Sequence, residues 1–381
     1  MSVSVSVSVV NIKNLVKNLP FDSVKEIAEN SNLKVKYTDD LYLLHSNESE
    51  TPIQYEANGL ILEKGTNNVI CMCDNKMKDF SEDVFDLFST SFRQVKDNTS
   101  IQMEYCEDGT VIRLYNYQGT WYTATTRCID ATKSFWSSER TFDSMFWESC
   151  RFNEKFTKEM MLESLDVNYT YIFILLHPDN RIVVQHEEQQ VMFIKRINNK
   201  TQEYDCYIKM YFSSPVNIIA VNDHKVTYDE LNIKYYNSNK RGIIIRLKNE
   251  KVVVSYKYDF EKYSQVKNIR GNVPLIRNRY LELLSNPSEL ELLEVYYQEH
   301  NLLFTMINHN LDNLYKNVHK LYISSHVKHE ILITEHHPYH HILRQLHGIY
   351  KKQNVIITLD EVKKKINSLP IYIINKLLNF V

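Results

Sequence analysis

The residues most able to do chemistry lie in one short segment, Tyr105-Cys106-Glu107-Asp108-Gly109-Thr110. Strand-forming residues precede it and Val111-Ile112-Arg113 continues it, which predicts a strand, a tight turn at Asp108-Gly109 and a second strand. The thiol of Cys106 would be a nucleophile if it were deprotonated. A packed, unreactive thiol is the simpler interpretation of Cys106, and the turn by itself can account for Asp108 and Gly109.

The composition sets the class of protein. The chain has 381 residues, 43% of them hydrophobic, and a formal net charge of −2. This excludes a strongly basic coat protein for nucleic acid, although a local basic groove is compatible with a neutral total. No run approaches the roughly 20 apolar residues of a membrane span, and no signal peptide is found, so no membrane partner is expected.

Neither the cysteines nor the histidines predict a metal site. The six cysteines form no CxxC pair and no zinc spacing with histidine, which favours packed thiols in a reducing compartment. A histidine cluster follows in the C-terminal part, where Pro338 interrupts any helix and no cysteine or acidic pair completes a ligand set. This cluster is interpreted as a solvated helix start and comprises His336, His337, His340, His341 and His347.

The order of predicted elements indicates an α+β protein. Helical patterning over residues 11–32 precedes strands over 33–73, with a hairpin turn at Lys64-Gly65-Thr66. A short helix is predicted over 81–89, a second hairpin around Gln118-Gly119-Thr120, and a helix over 132–165. The aromatic stripe of that helix is expected in the core and comprises Phe135, Phe142, Phe146 and Trp147.

The second half of the chain changes character at about Val273. Before it, strands are predicted over 169–176, 181–186, 191–197, 207–212, 242–247 and 252–258. After it, the periodicity is helical to the end of the chain. We therefore predict an α+β body with antiparallel sheets and an all-helical C-terminal domain. The predicted boundaries are 1–50 for an N-terminal helix and strand extension, 51–272 for the main domain and 273–381 for the helical domain.

The segment around Cys106 resembles the Lys-x-Asp-Gly motif of covalent nucleotidyltransferases, the superfamily of nucleic-acid ligases and capping enzymes. In that family the lysine amine attacks the α-phosphate of ATP to form a lysyl-adenylate. Cys106 stands at the position of this lysine, whereas Asp108 and Gly109 match the motif. The resemblance implies a nucleotidyltransferase domain of the ATP-grasp-like RNA and DNA ligase type.

Flanking segments are similar, in order, to the phage RNA ligase 1-like group of ATP-dependent RNA ligases and its large-DNA-virus relatives. The similar segments cover roughly residues 55–280 and comprise Gly59–Glu63, Val69-Ile70, Tyr115–Trp121, Ala124–Ala131 and Pro178–Val183. The resemblance also implies positions that would bind the nucleotide. These are Glu107, Gly109, Arg113, Thr126, Ile174, Arg241 and Gly242.

Several functional positions depart from the family pattern. Ile174 stands at the glutamate of the third motif, and Arg241 replaces the acid of the fourth motif, Glu-Gly. The fifth motif, Lys-x-Lys, aligns with Ser255-Tyr256-Lys257 or with Lys257-Tyr258-Asp259, and Lys257 alone survives in either alignment. Arg241 is open to two interpretations, an anion-binding residue or a residue on a solvated strand. Because the acidic residues normally organise the metal and the triphosphate, these losses indicate decay of the active site.

The leading hypothesis is a catalytically degenerate RNA-ligase homologue that retains RNA or nucleotide binding or serves as a protein scaffold. In that case no cofactor is expected. The alternative is an active RNA-repair ligase with a non-standard nucleophile, which would need ATP and Mg²⁺ as cofactors. The resemblance implies a large DNA virus or a similar source. It also implies a location in the host cytoplasm, within viral factories, or in the virion.

Overall fold

The computed structural model describes residues 12–47, 51–72, 77–79, 100–136, 138–205, 210, 212–215, 218–219, 240–248 and 253–380. The chain divides into two compact units, Met1–Ser264 and Gln265–Val381. The described strands all lie in the first unit, and the second unit is helical. The predicted three-part division, with boundaries at residues 50 and 272, stays a prediction.

Strands form most of the first unit. In chain order they are β1 (Lys34–Tyr37), β2 (Leu41–His45), β3 (Leu60–Glu63), β4 (Val69–Cys71), β5 (Lys78–Asp79), β6 (Ser100–Cys106), β7 (Thr110–Tyr117), β8 (Thr120–Ala124), β9 (Tyr169–Leu176), β10 (Gln190–Asn198), β11 (Tyr204–Asp205), β12 (Ser214–Pro215), β13 (Ile218–Ile219), β14 (Gly242–Lys248) and β15 (Val253–Asp259).

The helices flank these strands and fill the second unit. They are α1 (Ile12–Val16), α2 (Phe21–Asn30), α3 (Pro52–Glu56), α4 (Phe142–Ser149), α5 (Lys158–Ser164), α6 (Glu261–Arg270), α7 (Ile276–Glu282), α8 (Pro287–Tyr296), α9 (Asn301–Tyr322), α10 (His340–Gln353), α11 (Leu359–Asn367) and α12 (Ile371–Leu378). Within the described residues, no helix is long and apolar enough to cross a membrane.

The strands pair into three sheets. One has the order β1-β2-β3-β4, a second has β11-β10-β9-β7-β8 with β12 beside β10, and a third has β13-β6-β14-β15-β5. Every pairing is antiparallel except those of β10 with β12 and of β15 with β5. Sheets built from local antiparallel hairpins, with helices apart from them, are typical of α+β proteins. The predicted fold class is therefore confirmed.

Apolar side chains bury both faces of the β1–β4 sheet. One core cluster joins Tyr42, Leu44 and Leu60 to helices α1 and α2. Residues on the opposite face, such as Leu43, belong to a second cluster with Tyr115 of β7. Alternate residues of a strand point to opposite faces, so β2 contributes to both clusters and every one of its residues is buried. The far face of the β7–β9–β10 sheet packs on α4 through Phe146 and Phe173, among others.

The predicted elements agree with the structure in most places. Both predicted hairpins are present, as β3–β4 and β7–β8. The predicted helix over 11–32 is two helices, because Pro20 has no amide hydrogen to continue a helix and instead occupies the N-cap of α2. In the second unit, α10 begins at His340, within the histidine cluster where a helix start was predicted. The short helix predicted over 81–89 lies outside the described residues, as does most of the strand predicted over 207–212.

Two predictions are wrong. The helix predicted over 132–165 is a 3-10 turn at Ala131–Lys133 followed by the separate helices α4 and α5. Phe135 lies between the 3-10 turn and α4 and is 61% exposed, whereas Phe142 and Phe146 are in the core as predicted. The strand predicted over 181–186 is irregular backbone, because a carboxylate takes the amides that a strand would need.

Candidate functional site

Cys106 is the last residue of β6 and lies inside the β13-β6-β14-β15-β5 sheet. Its Cα is paired with that of Gly242 on β14, and 6% of the residue is exposed. Burial raises the pKa of the thiol to about 11, an effect that nearby Arg241 and Lys257 oppose. At neutral pH the thiol is therefore largely protonated. The geometry therefore favours a packed thiol over a nucleophile.

An ion pair lies beside Cys106. The Arg241 Nε atom is 2.8 Å from Oδ1 of Asp259, and its Nη2 atom is 3.4 Å from Oδ2 of the same carboxylate. The guanidinium also lies over the ring of Tyr263, 5.2 Å from the centroid. Lys257 Nζ is 3.5 Å from Asp259 Oδ2 as well. Asp259 thus links Arg241, which stands at the family's fourth motif, to Lys257, which stands at the fifth.

The Asp108 carboxylate is 2% exposed and is engaged within the protein. Its Oδ2 accepts hydrogen bonds from the backbone amides of Val183 and Val184, both at 2.8 Å. Its Oδ1 accepts one from the Tyr263 hydroxyl at 2.6 Å. Burial, followed by the charge of Asp108, raises the pKa of Tyr263, so the hydroxyl keeps the proton it donates. Asp108 therefore fixes the loop that follows β9.

The turn that carries Asp108 is packed tightly on β9. A Cβ added at Gly109 would lie 2.5 Å from the Leu175 carbonyl oxygen and 2.6 Å from Cγ2 of Ile174. Glycine is thus required here for close approach of two backbones. The neighbouring Glu107 is 5% exposed and pairs with Lys240, with Oε1 and Nζ 2.6 Å apart.

Arg113 and Thr126 belong to a different group of residues. Arg113 lies on β7 and is 1% exposed. Its guanidinium donates to the carbonyl oxygens of Gly59, Met72 and Thr125. Thr126, partly buried, lies in the turn that this guanidinium holds. Arg113 is therefore a structural tie between β3, β4 and this turn, and it does not contribute a free cation to the site.

The predicted residues thus divide into two sets. The first gathers at the ends of β6, β14 and β15 and comprises Cys106, Glu107, Asp108, Gly109, Arg241, Gly242 and Lys257, with Ile174 against Gly109. The second is Arg113 with Thr126. The sequence interpretation missed Asp259 and Tyr263 as partners. Asp259 could have been found, because positions two apart on a strand share a face and Lys257 lies two residues before it.

The residues present do not fit a magnesium–triphosphate site. Hard divalent cations require oxygen ligands, and the two motif positions expected to supply carboxylates hold Ile174 and Arg241. The carboxylates that are present are engaged within the protein. Asp259 pairs with Arg241 and Lys257, Glu107 pairs with Lys240, and Asp108 accepts hydrogen bonds from two backbone amides and a tyrosine. Across the part of the chain that the structure describes, no group of three or more histidine, cysteine, aspartate or glutamate residues could hold a metal ion.

Comparison with known proteins identifies viral relatives, while no family model matches the chain. A bifunctional polynucleotide kinase/RNA ligase homologue of Autographa californica nuclear polyhedrosis virus is 27% identical over 192 residues, 48% of this chain and 28% of that protein. An RNA ligase of Rhodothermus phage RM378 is 35% identical over 94 residues, 23% of this chain and 20% of that protein. The resemblance to RNA ligases is confirmed.

A third relative is not named as a ligase. An immediate-early protein ICP-46 homologue of Invertebrate iridescent virus 6 is 23% identical over 273 residues, which is 65% of this chain and 58% of that protein. The RNA-ligase-like chain thus spans less than two thirds of the length of each of these three relatives.

Solved structures of ligases also align with the RNA-ligase-like chain. A protein from Aquifex aeolicus named as an ATP-dependent DNA ligase homologue aligns with a TM-score of 0.44 and 11% identity, over 87% of this chain and 80% of that one. An archaeal ATP-dependent RNA ligase aligns with a TM-score of 0.45 and 12% identity, over 75% of this chain and 74% of that one.

Proposed function

We propose that this protein is a catalytically degenerate RNA-ligase homologue that binds RNA without forming an enzyme-bound adenylate. The observation that carries the proposal is the Arg241–Asp259 ion pair beside the buried thiol of Cys106. Relative to the family pattern, an acid has become a base at 241 and, in one alignment of the fifth motif, a lysine has become an acid at 259. The two reversed charges pair with each other, so they act as a compensated change.

The nucleophile is missing in chemical terms as well as by residue type. Lysyl-adenylate formation needs an amine that is partly neutral and free to attack phosphorus. Lys257 pairs with Asp259 and Asp79, both at 3.5 Å, and Lys240 pairs with Glu107. Both amines are thus engaged with carboxylates and are not free to attack phosphorus. The thiol at Cys106 is largely protonated at neutral pH.

RNA binding is proposed because two of the relatives are named as RNA ligases and because loss of catalysis does not by itself remove the surface that contacts RNA. Phosphate contacts by lysine and arginine supply most of the affinity of such surfaces. An overall charge of −2 requires these cations to be segregated on one face. The protein-scaffold role and the active ligase are alternative outcomes of the experiments below.

Self-adenylylation tests the catalytic half of the proposal. The purified protein is incubated with α-³²P-ATP and either Mg²⁺ or Mn²⁺, with the phage RNA ligase as a positive control, and then run on a denaturing gel. We expect no covalent label on the protein. Label that survives denaturation and is lost in Cys106→Ala would support an active ligase with a thiol nucleophile and would overturn the proposal.

Restoring the family's residues tests the compensated charge reversal. Cys106→Lys alone should remain unlabelled, because Ile174 and Arg241 would still be unsuitable. The matched control is the charge-exchanged variant Arg241→Glu/Asp259→Lys, which keeps an ion pair at the same place and should fold. Adding Cys106→Lys and Ile174→Glu to this control gives the only set expected to gain label. Covalent label on the Cys106→Lys single variant would contradict the proposal, because it would show that Ile174 and Arg241 still permit adenylylation.

Binding of RNA is measured separately by fluorescence anisotropy with a single-stranded oligonucleotide at several salt concentrations. We expect an affinity that falls linearly with salt on logarithmic axes. Absence of binding at low salt would refute the RNA-binding half and favour the scaffold role, whatever the adenylylation result.

A further inference from the structure

A buried histidine in the first unit lacks a hydrogen-bond partner within the described part of the chain. His45 ends β2 and is 5% exposed, and neither Nδ1 nor Nε2 bonds to another group among the residues that the structure describes. An unsatisfied buried polar group costs about 1–3 kcal/mol, so most buried imidazoles are hydrogen-bonded. The buried His45 ring is therefore either an imperfection of packing that the fold tolerates, or a group that hydrogen-bonds to a ligand.

The charged groups that act on His45 favour a ligand-binding role. They are Arg127, Lys36 and Lys34, and all three are cations. Lys34 lies directly across from His45 on β1, which is the edge strand of its sheet. Lys36 lies on the same face of β1, two residues further along, and its Nζ donates to the carbonyl oxygen of Arg127 at 2.8 Å.

The third cation is held in place by the backbone. Arg127 lies in the turn between Thr125 and Cys128, whose two backbone hydrogen bonds are 3.0 and 3.3 Å long. The buried guanidinium of Arg113 binds the Thr125 carbonyl oxygen from the inner side. The turn is thus fixed from both sides, because Lys36 also bonds to it.

These cations are exposed, and no described acidic residue pairs with them. In the described part of the chain, Lys34, Lys36 and Arg127 form no ion pair with aspartate or glutamate. Three cations around an imidazole with unsatisfied nitrogens repel one another, and this arrangement opposes protonation of the histidine. An anion would reverse each of these interactions, since it attracts the cations and accepts a hydrogen bond from the ring.

We propose that His45, Lys34, Lys36 and Arg127 form a binding site for a phosphate group, with the RNA backbone as its source. The site lies at the exposed edge of the β1–β4 sheet and includes none of the residues around Cys106. It deepens the proposed function, on whose RNA-binding half it rests. Free nucleotide or inorganic phosphate shares the same chemistry, and the experiment below distinguishes these sources from RNA.

The test uses the full chain and a fluorescein-labelled single-stranded RNA, with ATP and inorganic phosphate as competitors. His45→Leu should weaken RNA binding about tenfold, the value of one hydrogen bond to a charged group. Lys34→Ala and Arg127→Ala should each reduce the slope of log K against log salt by about one. Lys200→Ala removes an equal charge from the exposed turn after β10 and should leave both quantities unchanged.

Misfolding would not explain weaker RNA binding by His45→Leu. The wild-type ring makes no hydrogen bond with the described residues, so the variant should unfold at the same or a higher temperature than the wild type. Loss of RNA binding together with retained stability supports the site. Unchanged RNA binding in His45→Leu overturns it and leaves the proposed RNA binding standing.

Two other outcomes separate the sources of the phosphate. If the wild type binds ATP or inorganic phosphate through His45 but does not bind RNA, the phosphate site stands and the RNA assignment fails. If the wild type binds none of the three ligands, the site and RNA binding both fail, and the adenylylation result is unaffected.

Discussion

The isolation of His45 predicts a specific loss of stability in acid. Burial, and then the charges of Arg127, Lys36 and Lys34, lower its pKa from 6.5 to about 4. Between these two values the unfolded chain binds a proton that the folded chain does not bind. The free energy of unfolding should therefore fall as the pH falls through this window, by about 1.4 kcal/mol per pH unit. Over the whole window the loss is about 3 kcal/mol.

His45→Leu should remove this contribution, because leucine does not titrate. At pH 7.5 the variant should be at least as stable as the wild type, and below pH 6.5 its relative advantage should grow. The stability difference between the two proteins isolates His45 from every other group that titrates in acid.

Urea denaturation followed by tryptophan fluorescence is suited to this measurement. The chain has three tryptophans, Trp121, Trp136 and Trp147, and all lie in the unit Met1–Ser264 that contains His45. The buffers should contain no phosphate, because a bound phosphate would raise the pKa of His45 and reduce the effect. Parallel stability curves for wild type and variant between pH 4 and pH 7.5 would refute the assigned pKa and its cause.

Three further predictions use the same fluorescence assay. Gly109→Ala should lower the free energy of unfolding by about 2 kcal/mol or more, because its Cβ would overlap the Leu175 carbonyl oxygen; an unchanged value would contradict the close approach. Tyr263→Phe should cost about 1–2 kcal/mol, because Asp108 loses one of its donors; a stabilised variant would argue against that hydrogen bond. Arg113→Met should cost about 3 kcal/mol or more, because three carbonyl oxygens lose their donor; a loss below about 1 kcal/mol would show that water replaces the guanidinium.

The sequence predicts the strands and turns that carry the site, because the residue patterns that indicate them involve only neighbouring residues. The alternation of apolar residues, the turn at Gln118-Gly119 and the strand–turn–strand pattern around Asp108 each depend on neighbouring residues. These features place Cys106, Arg241 and Lys257 together once the antiparallel strands pair. The fold class and the two hairpins can therefore be derived from the sequence alone.

The contacts that decide the chemistry are not local. Asp108 binds the amides of Val183 and Val184 some 75 residues away, and this contact makes an aliphatic segment irregular where periodicity predicts a strand. The burial of Arg113 is equally hidden, since its acceptors are carbonyl groups, which carry no residue-type signal. Pairing of side chains across strands of unknown register cannot be read from one sequence.

The Arg241–Asp259 pair has an evolutionary consequence. Replacing Arg241 by glutamate alone would place two carboxylates side by side in a largely buried position. Replacing Asp259 by lysine alone would leave two, or with Lys257 three, adjacent cations. Each single substitution therefore gives an unstable variant. Under the proposed degeneration, positions 241 and 259 are expected to change together, because only the matched exchange keeps an ion pair at this place.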